Sequence, residues 1–187
     1  MGLIRSHLPV KIFTAITFTA AVDPDAVLVR MAEVAGPVNA RSPVYDFDSF
    51  TRYYQDEMGC GLQKFMAAFQ QVKPPESLID LKIAANHLEE EFADGGNRPV
   101  NIDPGYLTAA KVVLATTKDY DHRLYLGRGI FGDVHLKFRE GRYQDNPWTY
   151  PDYQQPQIKS FFQSIRTDYM VQLQEIRNKL LNKSKDI

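Results

Sequence analysis

VKIFTAITFTAAVDPDAVLVRMAEVA, residues 10–35, decides the reading of the fold. Residues 10–19 are dominated by β-branched and aromatic side chains, which predicts a buried first strand. Asp23-Pro24 then offers an N-cap residue followed by proline at the first helical position. Val27, Leu28, Met31, Val34 and Ala35 form the apolar stripe of a helix, and Gly36-Pro37 stops it. The chain therefore opens with a β-α unit. Arg5 and Lys11 ahead of an apolar run resemble a short signal peptide, but Thr14, Thr17 and Thr19 interrupt the run and favour the strand. Met1-Gly2-Leu3-Ile4-Arg5-Ser6 fits a myristoylation pattern and is discounted as a chance match.

Working outward, residues 40–50 carry Pro43, Tyr45, Phe47 and Phe50 at nearly alternate positions, as an edge strand or an extended arm would. Residues 51–61, TRYYQDEMGCG, fit a loop over a pocket or a short helix. Residues 62–72 are a second strand, and Pro74-Pro75-Glu76 opens a second helix whose stripe is Leu78, Leu81, Ala85, Leu88 and Phe92. Glu89, Glu90 and Glu91 are expected to end this helix in a solvated acidic cluster, with Asp94-Gly95-Gly96-Asn97 terminating it. A strand at 99–102 completes β-α-β-β-α-β, the order of a ferredoxin-like α+β core with a mixed or antiparallel sheet. Beyond it, Asp103-Pro104-Gly105 predicts a turn, Thr108 a cap for a short helix through Leu114, and residues 122–126 and 130–138 a β-hairpin that extends the sheet. Ile158, Phe162, Ile165, Tyr169, Leu173, Ile176 and Leu180 mark one face of a long helix over 156–183. That face either packs on the single 9–153 domain or makes a homodimer.

The composition sets limits. An apolar fraction of 44% with 24% charged residues describes a globular chain, and no run approaches the ~20 apolar residues of a membrane span. A formal charge of -1 argues against a nucleic-acid partner, so any anion site is local. Cys60 is the one cysteine, which rules out an internal disulfide and suits the cytoplasm.

Residues 98–153 hold most of the chemistry. Gly127-Arg128-Gly129-Ile130-Phe131-Gly132-Asp133-Val134 fits a kinase glycine loop, yet no His-Arg-Asp or Asp-Phe-Gly accompanies it. A dinucleotide fingerprint fails as well, because that motif must open a helix and strand-like residues follow here. A hairpin turn explains the glycines. Thr117-Lys118-Asp119 resembles a guanine-reading motif, but Tyr120 stands where the aspartate belongs and no P-loop exists. The stronger constellation is Thr116, Thr117 and Lys118 followed by His122, Arg123 and Tyr125. Hydroxyls, a point charge and a guanidinium fork suit a small phosphorylated or nucleotide-like anion. An alternative is an enzyme with His122 as acid or base beside Asp103 or Asp121, since imidazole titrates near neutrality. Asp119, Asp121 and His122, with Asp103, could face a divalent cation, but adjacent spacing and ordinary turn chemistry leave no metal assigned, and the cofactor is unknown. His87 and His135 are structural or exposed, and residues 148–153, WTYPDY, are a pocket lid, a base-stacking segment or an aromatic clasp.

VNIDPGYL, KVVLATTKDYDHRLYLG and WTYPDY, with VKIF and YYQDEMG, together resemble an uncharacterised bacterial family of unknown function, over about residues 9–153. Some of its members are labelled GTP-binding protein. The resemblance implies a bacterial cytoplasmic protein without an established reaction. Its polar motif positions fall on Asp103, Lys111, Thr116, Thr117, Lys118, His122, Arg123, Tyr125 and Asp152, to which it gives no individual role.

Overall fold

A computed structural model describes residues 2–3, 6–93 and 98–183. The turn expected at 94–97 lies outside the described residues, as do residues 1, 4 and 5 of the N-terminal myristoylation pattern. Along the chain run β1 (Val10–Phe18), α1 (Pro24–Ala35), β2 (Val38–Arg41), β3 (Tyr45–Asp46), α2 (Gln55–Met58), β4 (Gln63–Lys73) and α3 (Ser77–Glu91). There follow β5 (Val100–Leu107), β6 (Lys111–Thr116), β7 (Leu124–Gly127), β8 (Ile130–Arg139), β9 (Arg142–Asp145) and α4 (Pro156–Lys183). The described strands form one nine-stranded sheet in the order β2-β4-β1-β5-β6-β8-β7, with β3 on β4 and β9 on β8. Every pairing is antiparallel. The chain is thus a mixed α/β protein with an antiparallel sheet and a C-terminal helix. None of its described helices is long and apolar enough to cross a membrane.

Both faces of the sheet are covered. Ile12, Ile16 and Phe65 meet Val27 and Met31 of α1 and Leu81 and Ala85 of α3 on one side. Phe13, Met66 and Leu136 meet Ile158, Phe162, Ile165, Tyr169 and Leu173 of α4 on the other. A strand buried on both faces has no polar side to show, which is why β1 reads as a nearly unbroken β-branched and aromatic run. The α4 face expected to be apolar is spent on its own domain, with Phe162 edge-on to Phe13 at 4.9 Å between ring centroids. Ile176 is half-buried at the thinning end of that stripe, and the side chain of Leu180 lies outside the described residues.

Several expectations are corrected. The Asp103-Pro104-Gly105 turn is instead the middle of β5. Pro104 is tolerated there because pairing with β6 begins only at Gly105, so at Pro104 the ladder runs on the β1 side alone. Gly105 is required by close approach, since a Cβ would stand 2.5 Å from the Phe13 ring and from the Val113 carbonyl oxygen. Gly105→Ala is expected to destabilise the fold by about 1–3 kcal/mol through overpacking, as a lowered urea midpoint would show.

The short helix expected from Thr108 is a turn followed by β6. Thr108 Oγ1 accepts from the backbone N–H groups of Ala110 and Lys111, which makes it a turn cap, and the buried Val112-Val113-Leu114 run propagates as strand. Glu89 does not join a solvated cluster. Its side chain is 5% exposed, pairs with Arg98, and accepts from the Ile102 N–H at 2.6 Å, tying α3 to β5. The glycine loop is the hairpin turn between β7 and β8, with Gly127, Arg128 and Gly129 all at positive φ. β9, formed after a tight turn through Glu140 and Gly141, has no counterpart among the expected elements.

Candidate functional site

A cleft opens beside β4, β5, β6 and β8, and its walls come from separate stretches of chain. The outer lobe, about 270 Å³, is walled by Phe47, Tyr53 and Tyr54 from the β3–β4 connection, by Tyr120, and by Tyr150 with Pro151 from the segment before α4. Lys64 of β4 and Asp103 of β5 reach it from the sheet, and Asp152 from the segment before α4. An inner lobe of about 80 Å³ adjoins it and is polar, with Lys82 and Asn86 of α3, Asn101 of β5, Thr116, Thr117 and Asp133. Tyr54, Asp103, Lys118 and Tyr150 border both lobes and mark their junction.

Most charges here are committed to partners. Lys64 and Asp152 form a pair at 2.7 Å with side chains 4% and 1% exposed, and the Tyr45 hydroxyl donates to the same carboxylate oxygen at 2.9 Å. The Lys64 ammonium also faces the Phe47 ring at 4.4 Å. Lys82 donates to the Ile102 carbonyl at 2.8 Å and to Asp103 at 3.1 Å, while Asn101 donates to the other Asp103 oxygen at 2.7 Å. Burial alone would raise the Asp103 carboxyl, but Lys82 and Lys64 outweigh it and hold the group below the usual carboxylate value. Arg98 is shared between Glu57 and Glu89. Burial, strengthened by the charge of Asp103, pushes the Tyr150 phenol up to about 12.

Arg123 is expected from the sequence to be an anion fork, and its guanidinium is engaged within the protein. It donates to Asp133 at 3.0 Å, to the Lys118 carbonyl at 3.0 Å, to Thr116 Oγ1 at 3.4 Å and to the Tyr150 hydroxyl at 3.0 Å. It pins three walls of the cleft together. Lys118 differs: its ammonium donates to the Tyr53 hydroxyl, lies 4.3 Å from that ring's centroid, and has no carboxylate partner among the described residues. Among the described residues it is the cleft cation without an ion pair.

The other sequence-expected residues divide. Thr116, Thr117, Lys118, Arg123, Asp103 and Asp152 come together in the cleft. His122 lines neither lobe; it stacks on Trp148 at 5.0 Å between Asp121 and Asp133, whose oxygens lie 3.0 and 3.3 Å from its two ring nitrogens. Asp103 is not among its partners. Lys111 sits at the far start of β6, and Tyr125 is 64% exposed on β7, against Phe131. The aromatic segment 148–153 is both wall and clasp, because Tyr150 faces the outer lobe while Tyr153 is buried against Phe162. Sequence reasoning missed Lys64, Lys82, Asn101 and Asp133. A charged residue inside an otherwise apolar strand, as at Lys64 and Asp133, is the signal that could have found two of them.

Beneath Tyr150 lies His135, 0% exposed, with its ring 4.1 Å from the Tyr150 ring. Burial pushes its imidazole from 6.5 down to about 4, against the pull of Asp133. Below pH 6.5 the unfolded chain takes up a proton that the folded one refuses, so stability is full above that pH and is lost as pH falls towards 4. The expected loss is roughly 3 kcal/mol. Urea midpoints measured from pH 7.5 to 4 should show this decline, and His135→Gln should remove most of it.

The chain matches the family described as Domain of unknown function (DUF4416) over residues 8–169. It belongs to that family. The family match runs from just before β1 to the middle of α4, so the first half of the helix that covers the sheet is part of what the family shares. No curated protein and no solved structure matches the chain.

Proposed function

We propose that this member of the family binds a small phosphorylated or nucleotide-like anion in the two-lobed cleft. The observation that carries the reading is Lys118, an ammonium without a carboxylate partner among the described residues, held over tyrosine rings at the junction of the lobes. Thr116 and Thr117 lie beside it, and the aromatic outer lobe offers faces on which a flat ring can stack. With the inner lobe added, the cleft reaches the low end of the ~300–1,000 Å³ typical of small-molecule pockets. Lys118→Ala is expected to weaken binding of GTP, ATP or inorganic phosphate at least tenfold in isothermal titration. Absence of binding by the unaltered protein, or equal binding by the variant, overturns the proposal.

The resemblance of the motifs to a family with some members labelled GTP-binding makes GTP one ligand to try, and without a P-loop it would have to be held in this other way. Acid–base chemistry at His122 has less support, since both ring nitrogens are engaged by carboxylates and the ring borders neither lobe. We also read β1-α1-β2-β4-α3-β5 as a ferredoxin-like core, supported by the spatial order β2-β4-β1-β5, and place the protein in a bacterial cytoplasm, the bacterial source following from the resemblance of its motifs and the reducing compartment from its single cysteine.

A further inference from the structure

The inner lobe is too small for more than the edge of a molecule, and its carboxylates decide which edge fits. Asp133 borders this lobe with its side chain 1% exposed. Its Oδ2 takes the Arg123 Nε–H at 3.0 Å and lies 3.3 Å from His122 Nε2, whereas its Oδ1 lies 3.6 Å from the buried His135 Nδ1, beyond hydrogen-bond reach, and has no hydrogen-bond partner among the described residues. A buried carboxylate oxygen left unpaired is costly, and a donor that enters the lobe removes that cost. Asp103 borders the same lobe. Each of its oxygens accepts one hydrogen bond, from Lys82 and from Asn101, and each has a further lone pair.

The lobe's cations do not offset these acceptors towards an incoming anion. Lys82 is taken by the Ile102 carbonyl and Asp103, and Arg98 by Glu57 and Glu89. A bare oxyanion seated there would meet two carboxylates at close range, with repulsion strengthened by the low local dielectric. The anionic group therefore belongs at the junction with Lys118, and the inner lobe is left for hydrogen-bond donors.

We propose that the cleft selects ligands carrying, besides their anionic group, a flat ring with an N–H donor edge, and that Asp103 and Asp133 read that edge. The chemical class is an amino- or lactam-bearing heterocycle joined to a phosphate, as in a nucleotide, and excludes simple phosphates, sugar phosphates and carboxylic acids as preferred ligands. This inference rests on the reading that the cleft binds a small anion.

The test titrates the full chain with GMP, AMP and UMP, with ribose 5-phosphate as the anion without a ring, and with the corresponding nucleosides as rings without an anion. At least one nucleotide is expected to bind tenfold or more tightly than ribose 5-phosphate. Asp103→Asn should bring that nucleotide to within about threefold of ribose 5-phosphate without weakening ribose 5-phosphate itself. Because Asp103 also anchors Lys82, a ligand-side control avoids any folding defect: the analogue of the best nucleotide methylated at its ring or exocyclic N–H should bind the unaltered protein at least tenfold more weakly. Ribose 5-phosphate binding as tightly as every nucleotide overturns the donor-edge inference and leaves the anion reading standing. A nucleoside binding as tightly as its nucleotide supports the donor edge and overturns the anion reading. No binding by any of these probes overturns both.

Discussion

Arg123→Ala is expected to lower the stability of the fold by about 3–5 kcal/mol, because it leaves the Asp133 carboxylate buried without its guanidinium partner. Both side chains are almost wholly inaccessible, at 2% and 1% exposure, so water cannot replace the lost bond. The same change frees the Lys118 carbonyl and the Tyr150 hydroxyl, which come from different segments of the cleft wall. Urea unfolding measures the stability loss. Trp148, the only tryptophan of the chain, stacks on His122 next to Asp133, so its emission reports whether the cluster has loosened. Arg123→Lys keeps the charge but loses the planar fork, and is expected to recover only a minor part of the stability. A variant as stable as the unaltered chain would show that Asp133 finds another partner.

Asp152→Ala is expected to cost about 3–5 kcal/mol for a related reason, as it strands the Lys64 ammonium among aromatic rings. Tyr45, whose phenol is raised by burial and then by the nearby carboxylate, loses its acceptor at the same time. The double replacement Lys64→Met with Asp152→Leu removes both charges and keeps most of the volume. It should cost less than the sum of the single changes, and the coupling measured in that cycle isolates the pair from the packing around it. A purely additive cycle would mean that the two side chains contribute independently.

The parts of this fold that were legible in the sequence are those in which one local rule acts alone. The β-branched run of β1, the Asp23-Pro24 start of α1 and the stripe of α4 needed no knowledge of neighbours. Asp103-Pro104-Gly105 misled because turn chemistry and strand chemistry differ there only through tertiary context: Phe13 and the Val113 carbonyl press on Gly105, and the ladder to β6 begins one residue after proline. Thr108 misled because a hydroxyl that caps a turn and one that caps a helix look alike until the next residues are placed. At the site, the polar run 116–123 was visible as a cluster, but its division of labour was not. Which cation faces the cleft and which is tied down depends on Asp133 and Tyr150, each supplied by a different part of the chain.

The central position of β1 has a consequence for the order in which the chain can assemble. Its two neighbours, β4 and β5, begin at Gln63 and Val100, so the first strand made is completed only after more than half of the sequence exists. Until then its two edges are unpaired and both its faces apolar, the combination that favours association between nascent chains. The last element also reaches back to the first, since the Tyr169 hydroxyl of α4 donates to the Pro9 carbonyl at 2.8 Å. Contacts of such long sequence separation place this protein among slow folders, and chains truncated before α4 would leave the Phe13 face of the sheet open to aggregation.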